Sequence, residues 1–344
     1  MPKAIALLSG GLDSTLAAII VVKQGIEVTA VTFMTHFGCD VTDSSSCSTD
    51  PFPNSLKFGF DVKLCHLADK FIEIVKNPKF GHGKNMNPCI DCRILMLKEA
   101  RALMEAMGAD FLITGEVLGQ RPMSQRRATF PLMDKEAGAK GLVLRPLCAK
   151  ILPPTLAEIN GIVDRDLLYD FHGRSRKPQI ALAAELGLTE YPDPAGGCLL
   201  TEKVYAYRLT DLLKYSPDAT YKEINLLKYG RHFRLTDSIC GCASCKAIVG
   251  RNERENTILE GLYEDGDLLL IADTVGSPAT LLIGEFSDTE INLAASITAR
   301  YCDAKHQREV LVGIWKGIDV FIRNITVSPA IEETLDFLRI EAKP

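Results

Sequence analysis

One six-residue stretch constrains the fold of this chain more than any other: Ser9–Ser14, which reads SGGLDS. The apolar run before it, Ala4–Leu8, is typical of a buried parallel strand. The residues after it, Thr15–Lys23, favour a helix that ends before Gly25. The Ser9–Ser14 loop therefore joins the carboxyl end of a strand to the amino end of a helix. Unpaired backbone N–H groups and the helix dipole favour an anion there.

The composition of this loop suits a phosphate group. Gly10 and Gly11 allow the backbone to approach an anion closely, and the hydroxyls of Ser9 and Ser14 can donate hydrogen bonds to it. The spacing differs from Gly-x-x-x-x-Gly-Lys-Ser/Thr and from Gly-x-Gly-x-x-Gly. A glycine turn that binds no ligand is the alternative interpretation.

The loop resembles the SGGxDS motif of the PP-loop pyrophosphatases. Members of that superfamily cleave ATP to AMP and pyrophosphate while they adenylate an oxygen of the substrate. The resemblance implies ATP and Mg²⁺ as cofactors, with Asp13 either binding Mg²⁺ or positioning the loop. It assigns ATP binding to the following residues: Ser9, Gly10, Gly11, Asp13, Ser14, Phe33, Gly115 and Gln120.

Strand-like segments alternate with helical segments through the first half of the chain. After Ala4–Leu8, strands are predicted at the following positions: Glu27–Phe33, Asp61–Leu67, Phe111–Glu116 and Val143–Leu147. This alternation predicts an α/β fold with a doubly wound parallel sheet, as in PP-loop (adenine nucleotide alpha hydrolase-like) domains. Ligands of such sheets bind beyond the carboxyl ends of the strands, where the Ser9–Ser14 loop and Gly115 would emerge.

The pattern changes near residue 200. We predict a PP-loop domain over residues 1–200, a helical connector over 201–228 and a smaller α+β domain over 229–344. A chain of 344 residues has room for two domains. The stretch Lys203–Tyr229 reads as one helical connector, and beyond it short strands and helices lack the regular alternation of the first half.

Composition indicates a globular protein of the cytoplasm. The chain is 47% hydrophobic and 24% charged, and no apolar run reaches the roughly 18–20 residues of a membrane span. The segment before the glycine-rich loop is too short for a secretory signal.

With a net charge of −5, the chain has no general positive field for nucleic acid. RNA would have to meet local basic stretches, such as 121–150 and 221–254, which carry seven Lys/Arg each against two and three Asp/Glu.

Eleven cysteines are the unusual feature of the composition. In a reducing compartment, an odd number at short spacing indicates metal or sulfur chemistry before disulfides. Cys89 and Cys92 form a Cys-x-x-Cys at the start of a predicted helix, where thiolates are stabilised. Together with Cys198 they could hold an iron–sulfur cluster, or act as a persulfide nucleophile with a resolving partner. Incidental thiols are the third alternative.

The remaining cysteine clusters are less informative. Cys240, Cys242 and Cys245 could bind zinc or iron only with an outside ligand, and a loop with incidental thiols explains them as well. Cys39 and Cys47 lie in a loop rich in Ser, Thr and Asp, near the expected edge of the site.

The segment Ile113–Gln125 resembles the TGExxGQxxSQ stretch of the tRNA 4-thiouridine synthetases, a sulfur-transferring PP-loop family. The strand Val143–Leu147 resembles the one that follows there. The three cysteines at 89, 92 and 198 resemble the trio with which thiolases of this superfamily hold a [4Fe–4S] cluster. The resemblance assigns catalysis to Asp13, Cys89, Cys92 and Cys198, and cluster ligation to the three cysteines.

Three stretches of the second half resemble the NFACT-R RNA-binding domain: Gly230–Leu235, Ile248–Asn256 and Asp303–His306. The Cys240–Cys245 stretch is an insertion between the first two. This resemblance implies RNA, and together with the first half tRNA, as the partner.

The sequence thus predicts an ATP-dependent tRNA thiouridylase, which adenylates a uridine carbonyl oxygen and replaces it with sulfur. We expect tRNA and a sulfur donor, hydrosulfide or a persulfide carrier, as partners, no membrane association, and a homodimer as one expected state. The cluster is favoured over the persulfide because three cysteines fit it with none spare. The alternatives are an amide-forming, nitrile-forming or lysidine-type PP-loop enzyme, which would not need the three cysteines, and a non-catalytic RNA-binding adaptor, which would predict a degraded loop.

Overall fold

The computed structural model of the protein describes residues 1–37, 50–192, 198–235 and 245–340. The chain divides into two compact units, unit 1 (residues 1–201) and unit 2 (residues 202–344). Four of the cysteines considered above lie outside the described residues: Cys39, Cys47, Cys240 and Cys242. Within the described ranges, none of the helices combines the length and the apolar composition that crossing a bilayer requires.

Unit 1 is built on a parallel sheet flanked by helices. Its strands are β1 (Lys3–Leu7), β2 (Glu27–Met34), β3 (Asp61–His66), β4 (Phe111–Thr114) and β5 (Val143–Leu144). Its α-helices are α1 (Leu12–Val22), α2 (Phe52–Phe58), α3 (Ala68–Lys76), α4 (Cys89–Met107), α5 (Thr129–Glu136), α6 (Leu156–Ile159) and α7 (Lys177–Leu186). All neighbouring strands pair in parallel, in the order β3-β2-β1-β4-β5. The prediction of a doubly wound parallel sheet is confirmed.

The strand order places the functional edge of the sheet. The chain proceeds outward from β1 through β2 to β3, and then crosses to β4 on the other side of β1. The crevice between β1 and β4 is therefore the topological switch point, where ligands of doubly wound sheets bind. The Ser9–Ser14 loop follows β1, and Gly115 directly follows β4.

The Ser9–Ser14 loop is held between two buried elements. On α1, the side chains of Leu12, Leu16 and Ile19 are at most 1% exposed, and β1 is buried over most of its length. Burial of each such side chain stabilises the fold by about 1.5–3 kcal/mol. Helix α1 begins at Leu12 rather than at the predicted Thr15, because the end of the loop forms its first turn.

A buried ionic network fixes the elements around the switch point. Glu116, which is 2% exposed, accepts a hydrogen bond of 3.1 Å from Nε of Arg145, which is 4% exposed. The two terminal nitrogens of the Arg145 guanidinium donate hydrogen bonds of 3.0 and 2.8 Å to the carboxylate of Asp134. Nε of Arg93, on α4, lies 3.6 Å from the second carboxylate oxygen of Glu116. One buried carboxylate thus connects the ends of β4 and β5 to helix α4.

Unit 2 is an antiparallel sheet covered by helices. Its strands are β6 (Arg231–Arg234), β7 (Lys246–Val249), β8 (Leu268–Ala272), β9 (Thr280–Ile283), β10 (Val310–Lys316) and β11 (Val320–Val327), in the order β11-β10-β8-β9-β7-β6. Its helices are α8 (Lys203–Tyr215), α9 (Tyr221–Leu226), α10 (Glu253–Gly261), α11 (Asp288–Tyr301) and α12 (Glu332–Leu338). One apolar cluster packs α11 and α12 on one face, and a second packs α9 and α10 on the other.

The predicted helical connector, Lys203–Tyr229, consists of two helices. Helix α8 ends at Tyr215 and α9 begins at Tyr221. Pro217 lies in the break, where its ring and missing N–H oppose a continuous helix. Thr220 then starts a new helix through a capping box.

Unit 2 also contains a fully buried lysine. Lys246 of β7 is 2% exposed and pairs across the sheet with Arg234 of β6. Burial, with the nearby Arg234 charge, lowers the pKa of Lys246 from 10.5 to about 7, against the opposing effect of Asp211. The folded protein therefore holds this amine largely neutral at alkaline pH.

Replacing Glu116 tests the ionic network. In Glu116→Gln the buried Arg145 and the partly buried Arg93 lose a shared carboxylate, so we expect a loss of about 3 kcal/mol in the free energy of unfolding of unit 1. Urea denaturation followed by circular dichroism measures it, and hydrogen exchange of β4 and α4 localises it. Glu27→Gln removes an exposed ion pair with Lys3 and should cost at most about 1 kcal/mol. Equal effects of the two substitutions would contradict the network.

Lys246 predicts a pH dependence of stability. Between pH 7 and 10.5 the unfolded chain binds a proton at this amine that the folded chain does not, so stability rises with pH. The slope reaches about 1.4 kcal/mol per pH unit. Lys246→Met should remove this rise and stabilise unit 2 most at the lower pH. Fluorescence of Trp315, the single tryptophan of the chain, reports unfolding of unit 2.

The matched control is Lys316→Met, which replaces an exposed lysine of β10. It should keep the wild-type pH profile. Parallel profiles for wild type and Lys246→Met would refute the low pKa of Lys246.

Candidate active site

The backbone of the Ser9–Ser14 loop is shaped to receive an anion. Gly10 has a φ of +71°, a conformation that favours glycine. Gly11 is the N-cap of α1 and provides no side-chain cap hydrogen bond. The first N–H groups of α1 therefore point out of the helix without a side-chain acceptor, as an anion site requires.

The two serine hydroxyls act within the loop. Oγ of Ser14 donates to the carbonyl oxygen of Gly11 at 2.9 Å and accepts from the N–H of Ser9 at 3.2 Å. Oγ of Ser9 lies 3.1 Å from Oγ of Ser14 and is then the donor in that pair. In this arrangement the hydroxyls hold the shape of the loop.

Gly115 lies directly against the loop. A Cβ atom at this position would be 2.4 Å from the backbone nitrogen of Ser14 and 2.5 Å from the carbonyl carbon of Asp13. No side chain fits there, so a glycine is required for the end of β4 to reach the first turn of α1. The structure thus brings Gly115 together with Asp13 and Ser14.

Asp13 is held by a relay of two amides. Nε2 of Gln120 donates to Oδ2 of Asp13 at 2.7 Å, and Nε2 of Gln179 donates to Oε1 of Gln120 at 3.3 Å. Gln179 is completely buried on α7, on the face that also carries Leu182 and Ala183. Gln179 is not among the site residues predicted from the sequence. A polar residue on the apolar face of the predicted helix was the signal that could have found it.

The surroundings of Asp13 leave part of its carboxylate available. Burial raises the pKa of Asp13, while the Gln120 hydrogen bond and the charges of Arg176 and Arg121 oppose the rise. Within the part of the chain that the structure describes, Oδ1 of Asp13 is buried without a hydrogen-bond partner, as is Nε of Arg176. A carboxylate oxygen of this kind can bind a cation.

Phe33 lies on β2, the strand that pairs with β1 on the side away from β4. It is 6% exposed in β2 and pairs with Cys65 of β3. Because Leu7 at the end of β1 pairs with Val31, Phe33 lies just beyond β1 at the same edge of the sheet. Its position places it beside the crevice, with its ring buried.

Helix α4 begins at Cys89, so Cys89 and Cys92 lie one turn apart at its amino end. The expectation that this position stabilises the thiolate is wrong for Cys89. Burial raises the pKa of Cys89 above its usual value, despite the lowering effects of Arg93, of the Asn87 hydrogen bond and of Arg121.

The turn that carries Cys198 is bound to the segment just before α4. The carbonyl oxygen of Cys198 accepts hydrogen bonds from the N–H and the hydroxyl of Thr201 at 2.9 and 2.7 Å. The N–H of Met86 donates to the carbonyl oxygen of Leu200 at 3.1 Å, and Nδ2 of Asn85 donates to that of Thr201 at 2.7 Å. The turn that carries Cys198 therefore lies next to the segment that leads to Cys89 and Cys92. As placed, however, no three Cys, His, Asp or Glu side chains among the described residues form a group that could hold a metal ion.

One loop connects the two halves of the site. The bridging loop, Gly119–Gln125, is closed by a 2.7 Å hydrogen bond from the N–H of Gly119 to the carbonyl oxygen of Gln125. Its Gln120 contacts Asp13, as described above. Its Met123 lies on Gly83, where a Cβ atom would be 2.0 Å from the sulfur of Met123. The N–H of Gly83 donates to the carbonyl oxygen of Asn87 at 2.8 Å, two residues before Cys89.

In unit 2 the motif segments also meet. The N–H of Gly230 donates to the carboxylate of Glu255 at 3.2 Å, and that carboxylate also accepts from the N–H of Arg251 at 2.9 Å. The guanidinium of Arg231 lies 4.6 Å from the ring centre of Tyr301, just before the third motif. Cys245 is 1% exposed and lies in the core, where burial raises its pKa to about 12.

Two family models match separate parts of the chain, one in unit 1 and one in unit 2. Residues 1–150 match the family model described as thiamine biosynthesis protein (ThiI). Residues 230–337 match the model described as NFACT protein RNA binding domain.

Curated relatives match the chain at modest identity. The tRNA-specific 2-thiouridylase MnmA of Methylobacillus flagellatus is 25% identical over 324 residues, 88% of this chain and 86% of that protein. MnmA of Leptospira interrogans serogroup Icterohaemorrhagiae serovar copenhageni is 30% identical over 132 residues, 33% of each protein. A probable tRNA sulfurtransferase of Lysinibacillus sphaericus is 32% identical over 120 residues, 34% of this chain and 28% of that protein. The chain thus spans about a third of the length of two of these relatives, the Leptospira and the Lysinibacillus proteins.

Among solved structures, a 4-thiouridine synthetase–RNA complex with bound ATP aligns with a TM-score of 0.35 and 19% identity, over 54% of this chain and 52% of that chain. By these models, residues 1–150 are similar to the ThiI family and residues 230–337 are similar to the NFACT RNA-binding domain.

Proposed function

We propose that this protein is an ATP-dependent tRNA sulfurtransferase, which adenylates a carbonyl oxygen of a uridine and replaces that oxygen with sulfur. The observation that carries the proposal is the bridging loop, which contacts Asp13 in the Ser9–Ser14 loop and the segment before Cys89. Adenylation and sulfur delivery need neighbouring sites, because the activated base must meet sulfur before water does.

In the adenylation step, the backbone N–H groups at the start of α1 bind the phosphates of ATP. They are fixed in place by the fold, so they stabilise the charge that develops on phosphorus without reorganising. We assign Mg²⁺ to Oδ1 of Asp13, a buried carboxylate oxygen that has no hydrogen-bond partner among the described residues. The ion would neutralise charge on the leaving pyrophosphate.

For sulfur delivery we assign Cys89, Cys92 and Cys198 as the ligands of a [4Fe–4S] cluster. The adjacency of their segments supports this set, and a cluster spreads its ligands over several iron atoms, so they need not converge on one point. A cluster held by these three thiolates would supply an exchangeable position for sulfide. Hydrosulfide or a persulfide carrier would supply the sulfur, and a persulfide on one of these cysteines is the competing mechanism.

With hydrosulfide as the sulfur source, the reaction balances without an oxidant or reductant. The uracil oxygen bonds to the α-phosphorus, and the bond from that phosphorus to the bridging oxygen breaks, so pyrophosphate leaves. Sulfur from hydrosulfide then bonds to the ring carbon that carries the adenylated oxygen. AMP leaves with the former carbonyl oxygen, and the proton of hydrosulfide passes to solvent or to pyrophosphate.

We assign binding of tRNA to unit 2. The match to an NFACT RNA binding domain supports this role for unit 2, and the relatives' names as tRNA-modifying enzymes support tRNA as the substrate. A cytoplasmic location, a homodimer and the three-part domain division stay predictions.

Replacing Gly115 tests the nucleotide site. In Gly115→Ala the new Cβ atom would lie 2.4 Å from the nitrogen of Ser14, so the first turn of α1 must move. A misplacement of about 1 Å can cost about 100-fold in rate, and we expect that loss in tRNA-dependent AMP formation. Gly261→Ala is the control, because nothing lies within 4 Å of its Cβ position, and it should retain activity. Full activity of Gly115→Ala would contradict the site.

Replacing the cysteines separates the two steps. We expect Cys89→Ser, Cys92→Ser and Cys198→Ser each to lower thionucleoside formation by at least about 100-fold, since members of one catalytic unit do not substitute for each other. ATP binding should persist. Mass spectrometry of tRNA nucleosides from a deletion strain complemented with each variant measures the effect. Cys65→Ser, a half-buried thiol of β3, is the control.

Two outcomes would contradict different parts of the proposal. If every thionucleoside persists at wild-type level in the deletion strain, the sulfurtransferase function is wrong. If anaerobically purified protein is colourless and contains no iron, the cluster is wrong and the persulfide mechanism takes its place.

A further inference from the structure

Arg121 lies between the two contacts that hold the bridging loop. On one side of it, Gln120 donates to Asp13 at 2.7 Å. On the other, Met123 packs on Gly83 and accepts a 3.2 Å hydrogen bond from Thr129 at its carbonyl oxygen. Because three residues span at most about 10 Å, Arg121 stays close to both contacts.

The backbone at Arg121 is restricted while its side chain is available. Pro122 follows it and favours an extended conformation at the preceding residue. The side chain of Arg121 is exposed, and within the described residues no hydrogen bond or ion pair engages its guanidinium. Two nearby arginines are engaged by other groups: Nε of Arg93 lies 3.6 Å from a carboxylate oxygen of Glu116, and Arg127 donates to the carbonyl oxygen of Ile151 at 3.2 Å.

The charge of Arg121 reaches both halves of the site. It opposes the pKa rise of Asp13 together with Arg176, and it also acts on Cys89. The Ser9–Ser14 loop contains no lysine or arginine of its own. Backbone dipoles can meet part of the charge of a triphosphate, and the remainder needs a cation from elsewhere. A guanidinium is well suited to it, because its planar fork binds phosphate oxygens in pairs.

We infer that Arg121 is a catalytic residue of the adenylation step, whose guanidinium binds the β- and γ-phosphates of ATP. This inference rests on the proposed function, since it needs ATP at the Ser9–Ser14 loop. When the bond between the α-phosphorus and the bridging oxygen breaks, the electron pair stays with pyrophosphate. A cation at that group stabilises the charge as it develops. Its position beside the cysteine segment also places the departing pyrophosphate next to the site of sulfur delivery.

The test compares two nucleotides on the full chain in the presence of Mg²⁺. In Arg121→Ala, the affinity for α,β-methylene-ATP should fall roughly 10- to 100-fold, the usual effect of losing a charge-assisted hydrogen bond. The affinity for AMP should not change, because AMP lacks both phosphates. Arg121→Lys should lie between, since it keeps the charge and loses the fork. Isothermal titration calorimetry measures all of these affinities.

Arg126→Ala is the matched control, because Arg126 is exposed and directly follows the bridging loop. It should bind both nucleotides as the wild type does. An equal loss for the ATP analogue and AMP in Arg121→Ala, or no loss for either, would overturn the inference.

A phosphate of the RNA backbone is the other source of the same chemistry. If Arg121→Ala keeps its affinity for the ATP analogue but binds tRNA more weakly, with a salt slope smaller by about 1, Arg121 binds RNA and the inference is wrong. The proposed function fails separately. Selective loss of the ATP analogue in Arg121→Ala supports the inference even in a chain that thiolates no tRNA, whereas a wild-type chain without affinity for ATP contradicts both.

Discussion

The structure of unit 1 depends on a contact that leaves no room for a side chain. Gly115 at the end of β4 lies against the backbone of Asp13 and Ser14, so β4 and α1 meet at the switch point of the sheet. The next residue, Glu116, is buried between Arg93 and Arg145. Gly115 has no side chain and Glu116 has a buried charge. Together these two consecutive residues position the Ser9–Ser14 loop and helix α4 relative to each other.

Around this contact, polar groups are committed to the shape of the site. The serine hydroxyls bond within their own loop, and the amides of Gln120 and Gln179 orient one oxygen of Asp13. Among the described residues, Oδ1 of Asp13 has no hydrogen-bond partner, and the first N–H groups of α1 have no side-chain cap. A site organised in this way needs little rearrangement when a charged ligand arrives, because its dipoles already point into the crevice.

Local patterns in the sequence predicted the architecture of unit 1 and the loop at its switch point, because strands, helices and glycine turns are specified by nearby residues. Contacts between distant residues were not predictable. The Gln120–Gln179 hydrogen bond joins residues 59 positions apart. The high pKa of Cys89 arises from burial, whereas the sequence indicated only a helix terminus. The break between α8 and α9 was readable at Pro217, and the helical periodicity around it concealed the signal.

The turn at residues 198–201 has a further consequence. It ends at Thr201, the last residue of unit 1, and hydrogen bonds from Asn85 and Met86 hold it. The polypeptide therefore enters its second half directly from the turn that bears Cys198. Tension along the backbone from unit 2 would be felt first at those bonds, next to the third thiol.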